Sequence, residues 1–450
     1  MYEVISMWNL KINNKHMKNI KRILLAIIFI GLGYLIYDTS IKLPVVTAYA
    51  AKDVCSGIFI ANRSLESLEN NDINYSFMSK TSITVNKEEK SVTASIFGLF
   101  PRKAIFRDAL GCCVTKGYEE SELKKQAFKR PIIENIPLDT VLTDIEDEID
   151  FEQLNTALDS IFDHEERTRG VVVLYKNKLV AERYGKGFDQ STPLLGWSMN
   201  KSIINALVGI MKKQNRLDLN DKALFKEWAN DERKNIALND LMHMSSGLDW
   251  DEGYGGLSDV TKMLYKTGKA SVYAINKKFA IKPDSAWVYS SGTSNIISQY
   301  IRNKISNDEA YHNFPYLELF NKIGASSFYY ETDANGTFVA SSFGYATTRD
   351  WAKFGMLYLN DGMANGERIL PEGWAKYSAE PAKASNGKYG AQFWVNNLSG
   401  IDEFRSVGHH GQIVSIIPSK NLVIVRLGLS INKRFNSNKF IQNVVNSIKE

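Results

Sequence analysis

Cysteine is scarce in this 450-residue chain: Cys55 and the adjacent Cys112-Cys113 are the whole complement. Three residues cannot build the disulfide framework of a small secreted scaffold, and no C-x-x-C spacing offers a redox or metal motif. Histidine is nearly as rare, at six. His16, His164, His243 and His312 are scattered and only His409-His410 are neighbours, so no zinc-ligand spacing forms and neither metal nor cofactor is expected. A basic surplus is missing too. Net charge is +5, of which Lys11, Lys15, Lys18, Lys21 and Arg22 set against Glu3 supply +4, leaving about +1 for everything else. That excludes the dense basic face a nucleic-acid partner requires. Internal repeats and low-complexity tracts are absent.

What is present is ordinary globular composition, 44% apolar and 23% charged, over a length sufficient for one large or two ordinary domains. One long apolar run stands out. Ile23 to Tyr37 are uncharged and mostly apolar, and the basic cluster precedes them. This fits a short inner-membrane anchor with its positive end in the cytoplasm and the remainder of the chain in the periplasm. The alternative is a signal segment cut after Ala48-Tyr49-Ala50, a small-x-small site rather far from the run, which would release the protein to the periplasm. Residues 1–40 thus read as basic N-terminus and anchor or signal, 41–150 as an extension with short strands and a linker, and 151–450 as the main domain. In an exported chain Cys55 is expected to pair with Cys112 or with Cys113, since neighbours on a strand face opposite ways; three buried thiols are the alternative.

The fold class is α+β. Short strands are expected at Ser91–Phe97 and Lys103–Phe106, and an acidic, Pro-containing linker at 131–150. Leu154, Leu158 and Ile161 give a helix from Phe151 to about Phe162. A hairpin follows, Gly170–Tyr175 and Leu179–Tyr184 joined at Lys176-Asn177-Lys178. The middle, about 203–361, is mostly helical. Strands return at Gly390–Val395, Ile413–Ile417 and Leu422–Leu427, before a closing helix from about Asn438 to Ile448. Strands at both ends with helices between them imply one sheet assembled from distant segments.

Ser198-Met199-Asn200-Lys201 opens the long apolar run Ile203 to Ile210. A serine hydroxyl needs a neighbouring base, and residues three apart share a helix face, so Lys201 would lie beside Ser198 Oγ. Burial would lower the lysine pKa, and the helix N-terminus would supply oriented N–H groups for an oxyanion. The spacing alone is weak: Ser121–Lys124, Ser385–Lys388 and Ser430–Lys433 repeat it in surface-like settings. Downstream, Tyr289-Ser290-Ser291-Gly292 brings a phenol on a tight turn, able to relay a proton if Lys201 lowers its pKa. Gly408-His409-His410-Gly411-Gln412 leads into the Ile413 strand. Glycine there admits substrate to a strand edge, and adjacent histidines on a strand would face opposite ways.

Together, Ser198-x-x-Lys201, Tyr289-Ser290-Ser291 and His409-His410-Gly411 resemble the three motifs of the penicillin-recognising serine hydrolases. Tyr-x-Ser in the middle motif resembles the branch holding class C β-lactamases, their esterase relatives and 6-aminohexanoate-dimer hydrolase. Leu241 to Trp250 and Ala346 to Gly355 are similar to the nylon-oligomer-hydrolase subgroup. The resemblance covers about 150–450. It implies a β-lactamase/D,D-peptidase-like antiparallel sheet flanked by helices, with a mostly helical subdomain. It further implies Ser198 as nucleophile, Lys201 as its base, Tyr289 as proton relay to the leaving atom, and Ser291 as a polar group orienting Lys201. The backbone N–H groups of Ser198 and Gln412 would form the oxyanion hole, with Ile413 a close second for the latter, and Gly411 would let substrate approach.

One departure bears on substrate. β-Lactamases and D,D-peptidases of this family carry a lysine where His409 stands, and a mostly neutral imidazole gives no fixed charge for a substrate carboxylate. The expected activity is therefore that of a serine hydrolase cleaving a small-molecule amide or ester through an acyl-enzyme. The alternatives are a β-lactamase or D,D-peptidase, and a non-catalytic binding or sensor protein on the same fold.

Overall fold

The computed structural model describes residues 14–162, 167–254, 256–395, 397–431 and 435–449. Lys11, His164 and the side chains of Lys15, His16 and Lys18 lie outside the described residues.

The apolar run belongs to one helix, α1 (Asn14–Phe59), which continues unbroken past residue 40, so the expected boundary there lies inside it. Its two halves have different surroundings. Ile20 to Tyr37 are exposed, whereas Ala48, Ala50, Ala51, Val54 and Cys55 are fully buried. Pro44, which cannot donate to the helical ladder, stands near the change. The buried half packs on an antiparallel meander of four strands, β1 (Thr81–Asn86), β2 (Ser91–Ile96), β3 (Leu99–Arg107) and β4 (Gly111–Val114). Phe97 and Gly98 both have positive φ, giving the two-residue β2–β3 turn the right twist. A disulfide joins Cys55 on α1 to Cys112 on β4, with Cα atoms 6.1 Å apart, and Cys113 is a buried free thiol.

This N-terminal unit is tied to the rest of the chain through Glu331. Its buried carboxylate pairs with Lys52 and accepts from Ser56 Oγ at 2.9 Å and from the Cys112 N–H at 2.8 Å. Arg107, also buried, donates to the carbonyls of Thr332 and Asp333. The 131–150 stretch is largely irregular but held: the Ile136 N–H reaches Gly324 O at 3.1 Å and the Leu179 N–H reaches Asp139 O at 2.7 Å.

Helix α2 (Phe151–Asp159) is capped by Asp150, whose carboxylate accepts from the Gln153 N–H. It leads into the hairpin β5 (Thr168–Tyr175) and β6 (Lys178–Tyr184), whose turn residues Lys176 and Asn177 both have positive φ. Then follow α3 (Asn200–Lys213), α4 (Ser291–Lys304) and α5 (Thr348–Leu359). The chain returns through β7 (Trp394–Val395), β8 (Phe404–Gly408), β9 (Gln412–Ile417) and β10 (Leu422–Gly428) to α6 (Ser437–Asn446).

These late strands and the early hairpin form one antiparallel sheet in the order β7-β8-β9-β10-β5-β6, with β10 beside β5. Alternation decides its two faces. Val171, Val173, Ile413 and Ile424 pack on α2 and α6, while Val172, Leu174, Val414 and Val423 pack on the side of α5 and the helical middle. The strand expected at Gly390–Val395 is only two residues long. Gly390 N–H bonds Phe393 O, Ala391 N–H bonds Ser378 O, and Gln392 (φ 64°) turns its amide to the carbonyls of Leu241 and Met242, so these groups are taken before any ladder forms. The architecture is α+β, an antiparallel sheet flanked by helices.

Candidate active site

Ser198 does not begin the α-helix itself; it lies in a single 3-10 turn, Trp197–Met199, that runs into α3. Trp197 has φ 49°, a left-handed conformation costly for a bulky residue, so the turn is sharp and strained. It is braced from behind. Asn200 Nδ2 donates to Trp197 O at 2.8 Å, and a Cβ on Gly196 would meet the Trp351 ring at 2.4 Å. The effect is to hold a half-buried Ser198 hydroxyl at the tip of a rigid helix.

Lys201, 1% exposed, points its ammonium into that turn. Nζ lies 2.9 Å from Ser198 Oγ, 3.0 Å from Ser291 Oγ and 3.1 Å from the carbonyl oxygen of Ser341, which fills its hydrogen-bonding capacity. Burial pushes the amine down to about 8, with Glu252 holding it partly back. A fraction is therefore neutral near physiological pH and able to accept the serine proton.

Ser291 stands at the start of α4, capped by Ser290. Its hydroxyl donates to Glu252 Oε1 at 2.5 Å and its N–H to Oε2 at 2.8 Å, while Trp250 Nε1 donates to the same carboxylate at 2.6 Å. Serine, lysine, serine and glutamate are thus linked in series. Glu252 had no spacing to betray it; only its closeness to the Leu241 to Trp250 stretch offered a hint. Trp250, at the end of that stretch, is half-buried against Gly292, and the next residue, Asp251, is exposed.

Tyr289 lies on the other side of the lysine, its ring centroid 4.9 Å from Nζ. The ring packs among Trp287, Tyr389 and Trp394. The expected lowering of its pKa is reversed. Burial raises the phenol well above its ordinary value and Glu252 adds to the rise, outweighing the hydrogen-bonding influence of Ser198 and Trp394. A neighbouring lysine that is itself partly neutral gives little stabilisation to a phenolate, so Tyr289 stays a proton-bearing donor.

The third motif differs from the expectation of opposite-facing histidines. His409–Gly411 is a turn between β8 and β9, with His410 at φ 63° and Gly411 at φ 82°, and this bend sets the two rings 3.8 Å apart. His409 stacks on Tyr254 at 4.9 Å and lies edge-on to Trp197. Burial lowers it to about 4, so it is neutral at pH 7. His410 Nε2 meets Tyr75 OH at 3.1 Å, and Tyr75 OH meets Tyr49 OH at 3.0 Å, a chain reaching from the third motif to α1 that the sequence did not suggest. Arg426 fastens the turn by donating to the carbonyls of His410 and Gly411, and a Cβ on Gly411 would press on that guanidinium. Gln412 opens β9, its side-chain amide donating to His409 O and Gly428 O. Gly408 backs directly on the turn that carries Ser198, because a Cβ there would lie 2.2 Å from Gly196 O. Among the described residues no group of three His, Cys, Asp or Glu side chains could hold a metal.

Residues 154–429 match the Beta-lactamase family. The chain is 23% identical over 299 residues to a 6-aminohexanoate-dimer hydrolase of Paenarthrobacter ureafaciens, covering 58% of this chain and 72% of that protein. Among solved structures it is similar to a Bacillus anthracis protein provisionally described as a 6-aminohexanoate-dimer hydrolase, with TM-score 0.56, 22% identity, and coverage of 71% of this chain and 89% of the other. It is also similar to a family VIII carboxylesterase, at TM-score 0.52, 13% identity and coverage of 66% and 96%. At these identities the structural likeness establishes a common fold.

Proposed function

The chain belongs to the Beta-lactamase family, and on that premise we propose that it is a membrane-anchored serine hydrolase that cleaves an amide or ester through an acyl-enzyme on Ser198. One observation carries this reading: a buried amine whose pKa is lowered to about 8 lies 2.9 Å from the hydroxyl it would deprotonate. Neutral Lys201 takes the Ser198 proton as Oγ attacks the carbonyl carbon. The oxyanion is received by the backbone N–H groups of Ser198 and Gln412, each such donor contributing roughly 3–4 kcal/mol to the transition state. As the tetrahedral intermediate collapses, the carbonyl-to-leaving-atom bond breaks, and the proton passes from Lys201 through the neutral phenol of Tyr289 to the departing oxygen or nitrogen. Water then repeats the sequence on the acyl-enzyme and releases a carboxylic acid.

Ser291 and Glu252 act as positioning residues that hold Nζ. His409, neutral and stacked on Tyr254, offers no fixed cation to a substrate carboxylate, which favours an uncharged amide or ester over a penicillin. Membrane attachment is supported by α1, a long helix whose exposed apolar stretch follows a basic cluster, the arrangement of an anchor with its positive end in the cytoplasm and the following chain in the periplasm. A fluorophosphonate probe is expected to label the wild type at Ser198, and Ser198→Ala to abolish the label. Full labelling of the alanine variant refutes the assignment.

A further inference from the structure

A cavity of about 710 Å³ lies where α1, the β1–β4 unit and the catalytic part meet, within the size range of small-molecule sites. Its inner end is formed by Trp197, Tyr254 and His409. Trp197 immediately precedes the nucleophile and His409 leads the third motif, so this end adjoins the reaction centre. Between the ends the wall is made mainly of apolar and aromatic side chains, among them Val46, Met78, Leu257 and Tyr265.

The outer end has an equally definite place. It is lined by Leu35, Asp38, Thr39 and Lys42 of α1 and by Phe97 and Leu99 of the β2–β3 turn. Asp38 is the first acidic or basic residue after Arg22, and Lys42 pairs with it at 2.8 Å. On a spanning helix that pair marks the level where hydrocarbon gives way to headgroups. The uncharged stretch from Ile23 to Tyr37 rises only about 22 Å as a helix, short of a hydrocarbon core of about 30 Å. A short span draws its flanks into the interface. The flank present here is apolar and already beside the helix: Phe77 is 63%, Phe97 77% and Leu99 59% exposed, and Thr47 Oγ1 on α1 holds the turn by donating to Phe100 O at 2.8 Å. The mouth of the cavity therefore opens at the boundary between acyl chains and headgroups, level with the exposed apolar side chains of Phe77, Phe97 and Leu99.

We infer that the substrate is a long-chain acyl ester or amide resident in the same bilayer, whose acyl chain slides laterally into this cavity and brings its carbonyl to Ser198. This rests on the hydrolase reading above. Oγ of Ser198 attacks the acyl carbonyl, the bond to the headgroup oxygen or nitrogen breaks, and that atom leaves with the proton. Water then cleaves the acyl-enzyme to a fatty acid.

Full-length protein in phosphatidylethanolamine–phosphatidylglycerol vesicles decides it, with p-nitrophenyl acetate, octanoate and palmitate as probes. For the wild type, kcat/KM is expected to rise with chain length, palmitate exceeding acetate by at least about tenfold. Val46→Trp, and separately Leu257→Trp, each place an indole in the cavity and are expected to cut the palmitate-to-acetate ratio by about tenfold or more. Palmitate ester in the enzyme's own vesicles is expected to be consumed, and the same ester in separate vesicles spared. A wild type that labels with fluorophosphonate yet gives a flat or falling chain-length profile overturns the inference. So does a ratio unmoved in both tryptophan variants that still label, or equal turnover of both vesicle populations. Loss of labelling and of all ester hydrolysis in the wild type is a different outcome, and it removes the hydrolase reading itself.

Discussion

At the scale of single residues, Lys201 is the base of the proposed mechanism, and its titration gives the most direct check. With the amine lowered to about 8, kcat/KM on a soluble ester is expected to climb with pH and level off above that midpoint. The Glu252 carboxylate favours the charged amine, so Glu252→Gln is expected to move this limb to lower pH while also slowing turnover through the freed Ser291 hydroxyl. A limb that stays in place would show that Glu252 does not act on the base. Stability follows the same group. Between about pH 8 and the ordinary lysine value of about 10.4, the unfolded chain holds a proton the native one has lost, so Lys201 makes the fold more stable as pH rises across that window. Ser198, Lys201, Tyr289 and Ser291 were legible because each falls in a short motif. Glu252 was not, since it reaches the motif across a fold-dependent contact 39 residues from Ser291. The direction of the Tyr289 shift was also hidden, because it depends on a crowd of aromatic rings and a carboxylate that no local pattern reveals.

At the scale of elements, Glu331 joins the two halves of the molecule. Removing its carboxylate leaves Lys52 charged, unpaired and buried, at a cost of about 3–5 kcal/mol. Glu331→Ala is therefore expected to lower the thermal midpoint markedly, and Glu331→Leu combined with Lys52→Met to restore most of it; equal losses in both would show that the ion pair is not the reason. The hairpin β5–β6 and the β9 and β10 strands were readable as short apolar, β-branched runs bounded by turn residues, and the terminal helix was readable as a closing segment. The short extent of β7 and the unannounced β8 were not, because Gly390 to Gln392 give their hydrogen bonds to Phe393, Ser378, Leu241 and Met242 carbonyls, and Phe404–Gly408, with Arg405 and Ser406 inside it, is not an apolar run. The geometry of His409-His410 escaped for a related reason: a strand pattern presumes extended backbone, and one positive φ folds the pair onto a common side.

For the whole molecule, α1 is a core element in its second half and, in the proposed function, an anchor in its first. Ala48 and Ala50 are buried in mid-helix, and removing everything before Ala51 would strip out Tyr49, which touches Trp197 and Tyr75. The protein is accordingly expected to stay with the membrane after carbonate washing and to keep its N-terminus by intact mass; a soluble form beginning at Ala51 would overturn that. Composition and charge picked out the apolar run Ile23 to Tyr37, but the boundary they suggested at residue 40 falls inside a continuous helix. They did not reveal that the extension contributes walls to the same cavity as Trp197 and His409, because that depends on how α1 lies against β2 and β3.

A continuous helix has no slack. From Asp38 to Tyr49 it climbs about 16 Å, and Tyr49 rests against the tryptophan beside the nucleophile. On the proposed anchoring, Ser198 is thereby mounted at a set altitude above its own lipid surface, like a tool on a short post. Its working range is two-dimensional, and turnover should answer to substrate density within that surface far more than to concentration in the surrounding fluid.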